Sequence, residues 1–206
     1  MAMREVQVTD KTLVVFEHDQ LYDSVSGRVL TGSWLWEAAV VLAEKMAAPD
    51  QLNFSFEGKS VIELGAGTGL PGMTAARLGA SRVVLTDIGA LVPGLLKNVE
   101  ANGLGDRVEV RELVWGSDEL GEFEVVLMSD VFFAVEEMAA LAETMKRVCK
   151  DGTRILAASE VRQTTGECLN ELAKNGFELV ELASGIDSYA VYCCTITKHQ
   201  RKKNNH

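Results

Sequence analysis

Apolar and polar residues change rhythm several times along the chain. Thr12–Glu17 and Gly27–Leu30 predict two short strands around the polar stretch Asp19-Gln-Leu-Tyr-Asp-Ser-Val-Ser-Gly27. From Trp34 to Ala48, the residues Leu35, Ala38, Ala39, Leu42 and Met46 fall at helical spacing. Ser33 is the expected N-cap of that helix, Glu37 lies in its first turn, and Pro49-Asp50 ends it. Beyond it, Ser60–Leu64, Arg82–Thr86, Val108–Arg111, Phe123–Ser129 and Thr153–Ser159 predict strands. The continuous apolar middle of Phe123–Ser129 suits a central strand covered on both faces. Helical runs cover Leu70–Leu78, Ala90–Asn102, Glu136–Lys150 and Thr165–Asn175, closed by Gly79, Gly103, Gly152 and Gly176. Phe177–Ala183 and Tyr189–Thr197 follow with no helix between them, so they are expected to be antiparallel. Strands alternating with helices and closed by a hairpin give an α/β fold. The expected architecture is an open seven-strand sheet, mostly parallel, with an antiparallel terminal hairpin and an N-terminal β/helix extension. Residues 1–50 form the extension within the same domain, 51–197 the core, and 198–206 a basic flexible tail. Ligands of such sheets sit at the carboxyl ends of the strands, near the switch point.

Composition narrows the class. The 206 residues are 47% hydrophobic and 24% charged, which excludes a disordered or low-complexity chain. Twenty Lys and Arg against 30 Asp and Glu leave a net charge of −10, a poor match for nucleic-acid backbone. The exception is the tail, with Lys198, Arg201, Lys202 and Lys203 and no acids. Cys149, Cys168, Cys193 and Cys194 form no CxxC pair and no metal-spaced cluster, so reduced thiols and no metal site are expected. Adjacent on a strand, Cys193 and Cys194 should point to opposite faces. The polar N-terminus carries no secretory pattern, and no apolar run reaches the length of a membrane span. A cytoplasmic protein is expected, with the nucleus as the alternative. No membrane or nucleic-acid partner and a monomeric state are expected as well.

The densest chemistry lies in Glu63-Leu-Gly65-Ala66-Gly67-Thr-Gly69-Leu-Pro71-Gly72, which follows a strand and opens a helix. Glycines there allow a tight turn and let backbone N–H groups approach a ligand. The spacing is GxGxG with an acid two residues ahead. It is not the dinucleotide GxGxxG, because Leu70 stands at its last position. No Lys-Ser/Thr follows, so it is not a P-loop either. Asp87 ends the next strand, about 20 residues on, where a carboxylate can accept hydrogen bonds from ribose hydroxyls. Its alternative role is a helix N-cap before Ile88-Gly89.

This constellation resembles the class I, seven-strand S-adenosylmethionine-dependent methyltransferases, which are Rossmann-like. Thr31-Gly-Ser-Trp34-Leu-Trp36-Glu-Ala-Ala39, the glycine segment, Asn98-x-x-x-Asn102, Leu113-Val-Trp115-Gly116 and Ser129-Asp-Val-Phe-Phe133 are similar to methyltransferase family 16. More narrowly, they are similar to its methyltransferase-like protein 21 type lysine methyltransferases. The resemblance implies that S-adenosyl-L-methionine is the cofactor and a protein lysine the acceptor. It implies that Gly65, Ala66 and Gly67 cradle the methionine and ribose parts and that Asp87 holds the ribose hydroxyls. Trp115 would lie against adenine, Trp36, on the N-terminal helix, would close over the cofactor, and Ser129 would touch it. Glu63 would order the loop and the cofactor's amino group. Asp130 and Phe133 are the catalytic candidates: the carboxylate steers and aligns the acceptor, and the ring offers a π face to its cation. Phe133 lacks the hydroxyl of the Tyr variant. Core packing remains the alternative for Trp36, Trp115 and Phe133, and a loop cap for Asp130. Arg162 is open between binding an acidic patch of the substrate and a solvated surface. His18, His199 and His206 form no constellation. The competing functions are a small-molecule methyltransferase and a non-catalytic cofactor-binding module.

Overall fold

The computed structural model describes residues 2–18, 21–22, 27–48, 52–117, 120–182 and 188–196. The chain opens with an antiparallel hairpin of β1 (Ala2–Val8) and β2 (Lys11–Glu17), turned at Thr9-Asp10. Alternation buries Val6, Val8, Leu13 and Val15 on one face. The sequence predicts only the second of these strands, because β1 carries just two inward apolar residues among polar neighbours. Gly27–Leu30 is not a strand; it contributes a single bridge, Val29 to Tyr22.

The first helix also differs from expectation. A 3-10 turn, Thr31–Ser33, precedes α1 (Glu37–Ala47), so Trp34 and Trp36 lie ahead of the helix in extended conformation. Ser33 does not cap it, because its hydroxyl donates to the His18 and Leu30 carbonyls at 2.8 Å each. Pro49-Asp50, Ala183 at the end of an expected strand, residues 184–187 of the expected last turn and the basic tail lie outside the described residues.

Seven strands follow: β3 (Ser60–Leu64), β4 (Arg82–Asp87), β5 (Val108–Glu112), β6 (Phe123–Ser129), β7 (Cys149–Glu160), β8 (Val180–Leu182) and β9 (Tyr189–Thr195). Their order in the sheet is β5-β4-β3-β6-β7-β9-β8. The first five are parallel, and β9 runs antiparallel to both β7 and β8. The helices are α2 (Leu70–Arg77), α3 (Val92–Ala101), α4 (Met138–Val148) and α5 (Gln163–Lys174). Successive residues of the central strand β6 feed opposite cores. Val125 and Leu127 join the hairpin, α1, α2 and α3, while Val126 and Met128 join α4 and α5. Cys193 and Cys194 divide between the same two faces, and both are free thiols.

Two elements are shorter than their sequence patterns. The run from Glu136 splits into a 3-10 turn, Val135–Glu137, and α4, because Cys149 already pairs with Phe123. Phe177 belongs to the closure of α5, donating its N–H to the Leu172 carbonyl at 2.9 Å, so β8 starts only at Val180. No helix among the described residues is long and apolar enough to cross a membrane.

The hairpin is fastened to α3 by two buried carboxamides one helical turn apart. Asn102 accepts the Val14 N–H at 2.9 Å and donates to the Val14 carbonyl at 2.7 Å. Asn98 accepts the Phe16 N–H at 2.8 Å and donates to the Thr68 carbonyl at 3.0 Å. Together they serve the edge of β2 as a neighbouring strand would, which satisfies backbone groups that packing would otherwise strand. Asn98→Leu keeps the branched outline, at a larger volume, and removes these partners. It should cost about 1–3 kcal/mol in urea unfolding, from the unsatisfied backbone groups left behind, and speed hydrogen exchange at the Phe16 amide.

Candidate active site

The carboxyl ends of β3, β4 and β6 meet where the sheet order reverses direction, between β3 and β6. The glycine loop leaves β3 there. Gly65 and Gly67 adopt left-handed conformations, φ 65° and 55°. A methyl group on Gly67 would come within 2.8 Å of the Gly32 carbonyl oxygen, so the segment after the hairpin lies directly on the loop. A methyl group on Gly65 would stand 3.0 Å from Val131 and 3.3 Å from the Trp115 ring. That contact brings the Asp130–Phe133 segment and Trp115 to one glycine. Ala66 is buried, with its N–H donating to the Thr86 carbonyl at 2.9 Å.

Two carboxyl groups brace the loop from beneath. Asp87 accepts the Gly67 N–H on Oδ2 at 2.7 Å and the Ile88 N–H on Oδ1 at 2.8 Å. It thus reaches the loop but does not cap the next helix, which begins at Val92 behind Leu91 with no side-chain cap. Loss of water pushes its carboxyl up from the usual range, against the pull of those two N–H groups. Glu63 is fully buried, accepts the Gly72 N–H in the first turn of α2 at 2.8 Å, and leaves Oε1 without a partner. Burial pushes its carboxyl up to about 8, with the nearby Asp87 charge adding to the effect.

Trp115 is half-buried in the turn after β5. The turn is pinned from α4: the Thr144 hydroxyl accepts the Gly116 N–H at 2.8 Å, and Arg147 donates to the Gly116 and Ser117 carbonyls at 3.0 and 3.1 Å. Trp36 keeps 38% of its surface exposed. Its Nε1–H donates to the Thr31 carbonyl at 2.9 Å, and its ring lies 6.0 Å from that of Trp34. It therefore borders the segment over the loop from a pre-helical position, not from the helix.

Ser129 ends β6, half-buried. Asp130 follows with φ 52°, left-handed backbone that Asp tolerates better than most residues. Its N–H donates to the Ala158 carbonyl at 2.8 Å, and its Oδ1 accepts from the buried Ser159 hydroxyl at 3.3 Å. The exposed Arg162 stands 3.7 Å from Oδ2 and also pairs with Glu160. Phe133 is 58% exposed, which removes the core alternative; Phe132 is the buried neighbour, edge-on to Tyr192.

Sequence reasoning missed Gly32, Val131, Thr144, Arg147 and Ser159. Gly32 and Val131 carried a signal, each as a residue inside a quoted motif. The others act through contacts that need the fold.

A family model described as lysine methyltransferase matches residues 17–181. The chain belongs to that family. It is 37% identical over 135 residues to mouse protein N-lysine methyltransferase METTL21A, covering 62% of this chain and 60% of that protein. It is 35% identical over 136 residues to mouse EEF1A lysine methyltransferase 3, covering 64% of this chain and 57% of that one. The match thus spans about three fifths of these relatives. Among solved structures, a ribosomal protein L11 methylase from Lactobacillus delbrueckii subsp. bulgaricus superposes with a TM-score of 0.60 at 16% identity, over 76% of this chain and 77% of that one. Human N-acetylserotonin methyltransferase in complex with SAM gives 0.56 at 15%, over 79% and 55%. At such identities these two speak for the methyltransferase fold alone.

Glu63 yields a pH test. Its folded carboxyl titrates above its unfolded value, so the protonated group's contribution to stability is complete below about 4.5 and lost as pH rises through about 8. The melting temperature of wild type relative to Glu63→Gln should therefore fall steadily between pH 5 and 8. A constant difference would mean that the carboxyl titrates normally.

Proposed function

We infer that this member of the lysine methyltransferase family transfers methyl groups from S-adenosylmethionine to the side-chain amine of a lysine in a protein. The observation that carries the reading is the contact at Gly65, which sets Val131, and with it Asp130, against the glycine cradle. The chain's own residues fit the cofactor. Gly65 is held so closely between Trp115 and Val131 that no side chain would fit, and the buried Oε1 of Glu63 below the loop has no protein partner and can accept from a bound ammonium. Gly65, Ala66 and Gly67 would hold the methionine and ribose parts, and Asp87 has lone pairs left for the ribose hydroxyls. Trp115 would take the adenine face, and Trp36 and Ser129 would line the rest. Glu63 would anchor the first turn of α2, and a bound ammonium would draw its carboxyl toward ionisation. The cofactor supplies, when bound, a methyl group on a positively charged sulfur that departs as a neutral thioether when a nitrogen lone pair takes the methyl in line.

Asp130 draws the acceptor in and aligns it, a positioning contribution. The exposed Phe133 presents its ring face to the approaching cation. The acceptor is a side chain reaching in from another protein, in keeping with a mouth edged by exposed Phe133 and Val161.

The test is incubation with tritiated S-adenosylmethionine and a soluble cell extract, resolved on a denaturing gel. Wild type should label a discrete protein band. Asp130→Asn should lower that labelling about a hundredfold while cofactor affinity by calorimetry stays within about threefold. Trp115→Ala should instead weaken cofactor binding about tenfold. Label confined to small molecules would move the assignment to a small-molecule methyltransferase. Cofactor binding without any label would favour a non-catalytic module.

A further inference from the structure

Beside Asp130 stands a group that the lysine reading does not use. Arg162 lies between β7 and α5 and is held from several sides. Its Nε donates to Glu160 Oε2 at 3.0 Å, and its Nη2 pairs with the same oxygen. That Nη2 lies 3.7 Å from Asp130 Oδ2. The Arg162 N–H donates to the Thr165 hydroxyl at 3.4 Å, which in turn donates to the Glu160 carbonyl at 2.7 Å. The neighbouring Val161 N–H is tied to the Ser188 carbonyl at 2.8 Å. Tyr189, opposite Glu160 in the β7–β9 register, completes the surround, and Glu37 of α1 lies within electrostatic reach of the phenol. The charged and titratable groups around Arg162 are therefore Glu160, Asp130, Tyr189 and, through the phenol, Glu37. The guanidinium is the one cation among them.

Such a pair adds little stability, since Arg162 keeps 36% of its side chain exposed. Its importance lies in the charge it sets. An isolated carboxylate favours the charged form of any lysine beside it. That form has no lone pair on nitrogen, so Asp130 alone would bind the acceptor in an unreactive state. In water a lysine is neutral only about once in a thousand at pH 7.5. A fixed guanidinium next to Asp130 opposes a second cation at the same spot and favours loss of the ammonium proton to bulk water.

We propose that Arg162 is a positioning residue for the acceptor: shared between Glu160 and Asp130, it lowers the negative charge at the mouth, so that the lysine nitrogen is held less firmly beside Asp130 as the unreactive ammonium and meets it more often as a neutral amine. The proposal rests on the lysine reading above. It assigns the mouth two carboxylates around one guanidinium, with Asp130 for alignment and Arg162 for the protonation state of the guest.

The experiment is the pH dependence of label transfer from tritiated S-adenosylmethionine into the extract protein that wild type labels, from pH 6.5 to 9.5. Wild type, Arg162→Gln, Arg162→Lys and Asp130→Asn are compared. Arg162→Gln should be about tenfold slower at pH 7 and within about twofold of wild type at pH 9.5, the pattern of an acceptor that, desolvated in the mouth, loses its proton at about pH 8.5 beside Arg162 and about one pH unit later without it. Cofactor affinity should be unchanged. Arg162→Lys, which keeps the charge but not the fork, should recover most of the loss at pH 7. Equal loss at every pH, no loss, or an Arg162→Lys profile shifted as far as that of Arg162→Gln would each overturn the proposal. If Arg162→Gln does not fold, the Arg162→Lys profile decides alone. Asp130→Asn turning over at the wild-type rate would overturn the lysine site itself, a result that the Arg162 variants cannot mimic.

Discussion

One side chain, Asn98, ties three parts of the molecule together. Its carboxamide bonds the backbone of β2 at Phe16 and the glycine loop at Thr68, while its own backbone belongs to α3. The end of the hairpin then fixes the next segment, through the His18 N–H to the Ser33 carbonyl at 3.1 Å and the Ser33 hydroxyl back to His18. Gly32 is thereby laid on Gly67. A carboxamide suits this post because it offers a donor and an acceptor in fixed geometry, as a peptide group does. The shape of the cofactor loop is thus set from outside the sheet as much as by the strand that leads into it.

Charge is arranged in opposite ways on the two sides of the glycine loop. Beneath it, Glu63 and Asp87 lie close, both pushed up by loss of water and offset only by backbone N–H groups. At the mouth, Asp130 and Glu160 share a guanidinium. The first arrangement holds backbone and favours the arrival of positive charge from a ligand. The second keeps a carboxylate in place while limiting its attraction for a cation. Both set carboxylates at or beside strand ends, and sites carried by strands are held more precisely than sites on loops.

Most of the sheet was legible because parallel strands covered on both faces leave continuous apolar runs; β6 shows it, from Phe123 to Ser129. The antiparallel finish was legible from the lack of a helix before Tyr189. β1 was not, because a two-strand ribbon needs only Val6 and Val8 inside. The start of α1 was misplaced because Leu35 is buried like a helical residue but sits in extended chain before Glu37. At the candidate site, the glycines and Asp87 announced themselves by spacing and by strand ends, and Asp130 by the family resemblance. Ser159, Thr144 and Arg147 did not, since a serine, a threonine and an arginine gain their meaning only from what the fold sets opposite them. Exposure was equally unreadable: nothing in Phe132-Phe133 says which ring turns outward.

The order of the last strands bears on how the chain is made. Tyr189–Thr195 inserts between Cys149–Glu160 and Val180–Leu182, so the inner edge of β7 stays without its hydrogen-bonding partner until that late segment emerges from the ribosome. By then the glycine loop, Asp87 and Asp130 have all been synthesised. A nascent chain at that stage holds a nearly finished ligand pocket beside an open edge at Leu156 and Ala157, and such an edge is a template for another chain. Interrupted translation products should therefore pair with one another and enter aggregates, not persist as shortened enzymes.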